Sequence, residues 1–135
     1  MGVSRDAVVG NLLYLFNFKF SVEKGQDGQE VYVGTDPNHI AEVRYYGPKD
    51  NINQATMLIT LPQPPPQDQY TRALQDLVSF MVPLSSGWGN ASQWVLQAMQ
   101  QVGTPSTTQF GDRVASMLVT QQDGQDKIAF TIRGK

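Results

Sequence analysis

His39 is the only histidine in a chain of 135 residues, and cysteine is absent. Disulfides, thiolate nucleophiles, thiolate zinc sites and multi-histidine metal centres are thereby excluded. A histidine base needs a nucleophile and an orienting carboxylate close in space. Ser85, Ser86 and Ser116 are present, but no Gly-x-Ser-x-Gly elbow holds any of them. His39 follows Asp36-Pro37-Asn38 in a turn and reads as a solvated loop residue. Paired carboxylates for acid–base hydrolysis are the next resource. Glu23, Glu30, Glu42, Asp50 and Asp76 fall mostly on expected solvent faces or in turns. Asp27, Asp112 and Asp123 each adjoin a glycine and suit turn geometry. Asp36-Pro37-Asn38 and Asp50-Asn51-Ile52-Asn53 offer oxygen ligands without the spacing of a calcium loop. Gly87-Trp88-Gly89 is too short for a phosphate loop and carries no lysine. No catalytic residue, cofactor-binding residue or metal ligand is therefore assigned, and no cofactor is expected.

Aromatic side chains are the remaining resource, because Trp and Tyr are enriched at interaction hot spots. Trp88 lies in a glycine-flanked loop, which favours display at the surface. Tyr46 shares a strand face with Arg44 and Glu42, opposite the apolar face of that strand. Trp88, Tyr46, Arg44 and Glu42 form the candidate interaction surface. Trp94 falls on an apolar helical stripe and reads as core. Asn90-Ala91-Ser92 matches a glycosylation sequon, but Asn90 has a simpler role as a helix cap.

Composition agrees with contact chemistry rather than charge chemistry. Charged residues make up 16% of the chain, against roughly 25% in average proteins. The net charge is −2, the isoelectric point is about 5.2, and the basic residues are scattered. Nucleic-acid binding, which needs a basic stripe, is not expected. No apolar run is long enough to span a membrane. Residues 1–6 show no basic region followed by an apolar one, so no signal peptide is read there.

The elements that must position these residues follow from periodicity. Ser4 caps a helix over about residues 5–15, with Val8, Val9, Leu12 and Leu13 at helical spacing. Phe16, Phe18, Phe20 and Val22 then alternate with polar residues, so residues 16–35 read as a hairpin with an aromatic inner face. Its turn uses Gly28. A third strand runs from Ile40 to Tyr46, with Ala41, Val43 and Tyr45 inward. A fourth, over about 54–61, turns Ala55, Met57, Ile59 and Leu61 inward. The proline-rich stretch 62–68 is a stiff connector inside the domain. From Gln69 to Pro83 a helix carries the stripe Tyr70, Ala73, Leu74, Leu77, Val78 and Met81. A second helix follows Asn90, with Ala91, Trp94, Val95, Ala98, Met99 and Val102. Thr107 to Phe110 is a short strand. Arg113 to Thr120 and Lys127 to Arg133 form a hairpin about Asp123-Gly124. Gln-Asp-Gly-Gln occurs in both hairpins, at 26–29 and 122–125, as one turn solution used twice. The whole chain reads as a single α+β domain of order α-ββββ-αα-βββ, an antiparallel sheet with helices packed on one face.

Three segments together resemble a known kind of domain. They are Gly47-Pro48-Lys49-Asp50-Asn51-Ile52-Asn53-Gln54-Ala55 with its strand to Leu61-Pro62, Ser92-Gln93-Trp94-Val95-Leu96-Gln97, and Thr107-Thr108-Gln109-Phe110-Gly111-Asp112-Arg113-Val114. In this order they resemble small α+β domains of unknown function in bacterial exported proteins and lipoproteins. The resemblance implies an extracytoplasmic location and brings no catalytic residues with it. The expected function is a noncatalytic interaction or accessory domain that binds a protein partner, itself a monomer or weak homo-oligomer. The alternative is an apolar-ligand domain, with a cavity between sheet and helices lined by Phe16, Phe18 and Phe20.

Overall fold

The computed structural model describes residues 1–134, without the side chains of Asn11 and Tyr14. Its elements run α1 (Arg5–Tyr14), β1 (Lys19–Lys24), β2 (Glu30–Thr35), β3 (Ala41–Tyr46), β4 (Gln54–Pro62), α2 (Gln67–Met81), α3 (Ala91–Met99), β5 (Ser106–Phe110), β6 (Arg113–Gln122) and β7 (Gln125–Gly134). A short 3₁₀ turn, Val82–Leu84, extends α2. The order of helices and strands is the expected one, and the fold is α+β. The strands make one seven-stranded antiparallel sheet, ordered β1-β2-β3-β4-β7-β6-β5. The last strand thus enters the middle of the sheet and joins its two halves. Ala55 faces Ile132, Met57 faces Phe130, and Ile59 faces Ile128.

Period-two alternation places one face of the sheet in the core. Ala41, Val43 and Tyr45 of β3, Ala55, Met57, Ile59 and Leu61 of β4, Ala115, Met117 and Val119 of β6, and Ile128, Phe130 and Ile132 of β7 are all buried. The other face carries half-buried Glu42, Arg44, Tyr46, Thr56, Thr131 and Ser116. Thr56 and Thr131 hydroxyls meet across the central pair at 3.2 Å.

The expectation of helices packed on a single face is corrected. α2 crosses β4, α3 lies against β6, and α1 packs against α2 and the 3₁₀ turn rather than along the strands. The stripe of a helix states which side is apolar, not which neighbour covers it. Aromatic rings make the joints. Phe80 of α2 stands 6.1 Å from Tyr45 and 5.8 Å from Phe130, and Trp94 of α3 stands 6.1 Å from Phe130. The Tyr45 hydroxyl donates to the Val8 carbonyl of α1 at 3.4 Å.

Three local differences from the sequence reading have clear causes. β1 begins at Lys19, not Phe16, because Asn17 takes a positive φ of 58° and bends the chain. Phe16 therefore leaves the strand, while the Phe18 N–H returns to the Leu12 carbonyl at 2.9 Å. Val22 is 51% exposed rather than inward. Helix α2 is rotated from the expected stripe: it buries Ala73, Asp76, Leu77, Phe80 and Met81, leaving Tyr70 and Val78 exposed. Ser4 does cap α1, accepting the Ala7 N–H at 3.3 Å. Asn90 occupies the cap position of α3, but its side chain makes no capping bond.

Candidate functional site

Strand β3 ends beside the β1–β2 turn, and this places Arg44 and Tyr46 in one open hollow. The hollow measures about 530 Å³, within the range typical of ligand and peptide sites. Val31 lies in its floor; Asp27, Glu30, Arg44 and Tyr46 make its walls, and Gly47 closes the end. Gly47 is required there. Its φ is +113°, and a Cβ would come within 2.9 Å of the Asn51 carbonyl oxygen. The Tyr46 carbonyl accepts the Asn53 N–H at 2.9 Å, which pins the bend.

Arg44 is held at this site by carboxylates. Its Nη2 donates to Glu42 Oε1 at 2.9 Å, and its Nη1 lies 4.0 Å from Glu23 Oε2. Partial burial works against the guanidinium charge. The Glu42 carboxylate and its hydrogen bond, with Tyr46 and Glu23, outweigh that and hold the pKa above its ordinary value. Glu42 thus serves the hollow by orienting Arg44, without lining it.

Trp88 does not join this surface, and its expected exposure is corrected. It is buried at 8% exposure, stacked on Phe110 at 4.3 Å and packed on Trp94 at 5.4 Å. The flanking glycines let the loop fold inward instead of presenting the ring to solvent. An indole buries more apolar area than any other side chain there, and Phe110 at the sheet edge offers it a flat partner. Trp94, read as core, is half-buried and packs on the core.

A second cluster escaped the sequence reading. Asp76, expected on a solvent face, is fully buried, and so is Asp36 at the end of β2. Arg72 Nε donates to Asp76 Oδ1 at 3.2 Å, while its Nη2 donates to the Phe16 carbonyl at 2.9 Å. The guanidinium also lies over the Phe16 ring, 4.5 Å from the centroid. Asp36 Oδ1 accepts the Ile40 N–H at 2.7 Å and closes the turn that holds His39. The remaining Oδ2 of each aspartate has no hydrogen-bond partner. Burial pushes the Asp76 carboxyl up to about 6; Arg72 opposes this and Asp36 adds to it. The spacing of Asp76 accords with burial once the rotation of α2 is known. Asp76 stands three residues after Ala73 and four before Phe80, on the stripe that α2 buries.

These carboxylates do not share a cleft. Asp36 and exposed His39 border a hollow of about 400 Å³ with Lys19 and Phe20, and Asp76 is not in its wall. Asp36 holds its own turn, and Asp76 is bonded to Arg72 within α2. Among the described residues no three His, Asp or Glu side chains are grouped to hold a metal ion. No described helix is long and apolar enough to cross a membrane. Comparison with known protein families, with curated proteins and with solved structures finds no match.

Proposed function

We propose that this chain is a noncatalytic interaction domain, an accessory part of a bacterial extracytoplasmic protein, and that it receives a protein partner in the Tyr46–Arg44 hollow. The observation that carries the reading is the hollow itself. It combines an amphipathic aromatic ring, an apolar floor at Val31 and a guanidinium already oriented by Glu42. Such a preorganised aromatic–arginine pair is the usual make-up of an interaction hot spot. Asp27 on the wall, beside Glu30, which is already paired with Arg5 at 3.3 Å, favours a partner that brings a basic side chain. The location rests on the resemblance of the three sequence segments described above.

The alternative of an apolar ligand between sheet and helices has less support. Phe18 is buried in the core, and Phe20 is stacked on Tyr32 at 5.0 Å, so these rings fill space rather than line it.

A photo-crosslinking residue in place of exposed Gln26, which borders the hollow, tests the proposal. It should capture one protein, whose affinity is then titrated against the unmodified chain and against Tyr46→Ala. The substitution should weaken binding by roughly tenfold or more, as for a hot-spot tyrosine, with little change in melting temperature. Equal affinity for both chains overturns the reading.

A further inference from the structure

Strand β1 is one end of the sheet, and among the described residues no strand pairs with its outer edge. All of its residues except Phe20 are exposed, including Val22 at 51%. The directions of its backbone groups follow from the hairpin. Successive strand residues send N–H and C=O to opposite sides. The Gly25 N–H donates to the Gln29 carbonyl at 2.8 Å, and the register continues from there with Glu23 facing Val31 and Ser21 facing Val33. The odd-numbered residues therefore bond to β2. Phe20, Val22 and Lys24 direct their N–H and C=O groups outward, where any added strand must pair with them.

We propose that this edge pairs antiparallel with β1 of a second copy of the chain, about a twofold axis through Ser21. Only pairings that set even-numbered residues opposite one another satisfy the outward groups. In the Ser21-centred register Phe20 faces Val22 of the other copy twice, and Lys19 faces Glu23 twice. The exposed Val22 then lies beside the Phe20 backbone, whose ring stays over Gly34 of β2, and each charge meets its opposite. Opposed pairs of both kinds stabilise antiparallel strands. The neighbouring registers fail on the same criteria. Centring on Val22 sets Phe20 against Lys24 and Ser21 against Glu23. Centring on Phe20 sets the central Val22 against Phe18, whose N–H is already given to Leu12, and leaves Lys19 against Ser21 and Glu23 without a basic partner; the Ser21 register meets Phe18 only at its end, with Lys24. Glu23 is free to turn outward, since its contact with Arg44 is a long 4.0 Å. An interface of this kind is isologous, so it closes at two copies and does not propagate.

The absence of cysteine makes a direct test available. Ser21 meets its own copy in a non-hydrogen-bonded pair, where Cβ atoms stand roughly 4.5 Å apart, close to disulfide geometry. Ser21→Cys should give a covalent dimer under mild oxidation, with Lys19→Cys and Val22→Cys linking far more slowly. In sedimentation experiments Lys19→Glu and Glu23→Lys should each weaken self-association by roughly tenfold. An equimolar mixture of those two variants should associate again, because each strand then meets opposite charges. Val22→Pro should abolish association with circular dichroism unchanged, as proline is tolerated where a strand N–H points away from the sheet. A chain that sediments as a monomer at every concentration overturns the proposal. So does a dimer indifferent to the charge exchange, or equal crosslinking at all three positions.

Discussion

Single residues in this protein take their roles from what lies within a few ångströms, and Trp88 shows it most plainly. Its loop, flanked by Gly87 and Gly89, has the sequence of a displayed aromatic. Phe110, 22 positions later, stacks on it at 4.3 Å and draws it inside. Trp88→Ala should therefore destabilise the fold by about 3–5 kcal/mol, as truncation of a buried large aromatic does. The denaturant midpoint measures this; a loss below about 1 kcal/mol would return Trp88 to the surface. Tyr46, Arg44 and Glu42 were readable because alternation along β3 separates them from Ala41, Val43 and Tyr45. Their grouping with the β1–β2 turn was not readable, because it depends on pairing across strands.

At the scale of elements, strands were more legible than helices. A strand has two faces, so alternation leaves only one choice of side, and the inward sets of β3 and β4 were assigned correctly. A helix can rotate by small steps, and a mixed stripe fits several orientations. On α2 the expected stripe of Tyr70, Ala73, Leu74, Leu77, Val78 and Met81 keeps Ala73, Leu77 and Met81 buried, but the fold adds Asp76 and Phe80 and leaves Tyr70 and Val78 exposed. Val78 separates the two orientations, with Leu77, inward in both, as the reference. Leu77→Ala should lower stability by about 2–5 kcal/mol, and Val78→Ser should change it by less than about 1 kcal/mol. Equivalent losses in urea titrations would contradict the rotation. The displaced stripe also explains the missed Asp76. A carboxylate on a buried face violates the simple pattern, and only its proximity to Arg72 permits it.

For the whole molecule, buried Asp76 predicts how stability depends on pH. The ordinary value for Asp76 is 3.8, and in the fold it rises to about 6. As the pH climbs between these values, the unfolded chain loses the proton first. The favourable contribution of the protonated group is full below 3.8 and is lost as the pH rises through about 6. Two pKa units correspond to at most roughly 3 kcal/mol. Comparing the parent chain with Asp76→Asn between about pH 4 and pH 7 isolates this term, since asparagine does not titrate. The stability difference between them should shrink or reverse over that interval; a constant difference would mean that Asp76 stays ionised in the fold. The α+β class, the order of elements, the hairpin turns and the inward faces of β3 and β4 were legible along the chain, because they depend on periodicity and local backbone preference. Long-range packing set the rotation of α2, the burial of Trp88, Asp36 and Asp76, the insertion of β7 between β4 and β6, and the edge position of β1. Those features depend on contacts between residues distant in the chain, and local pattern carries no term for them.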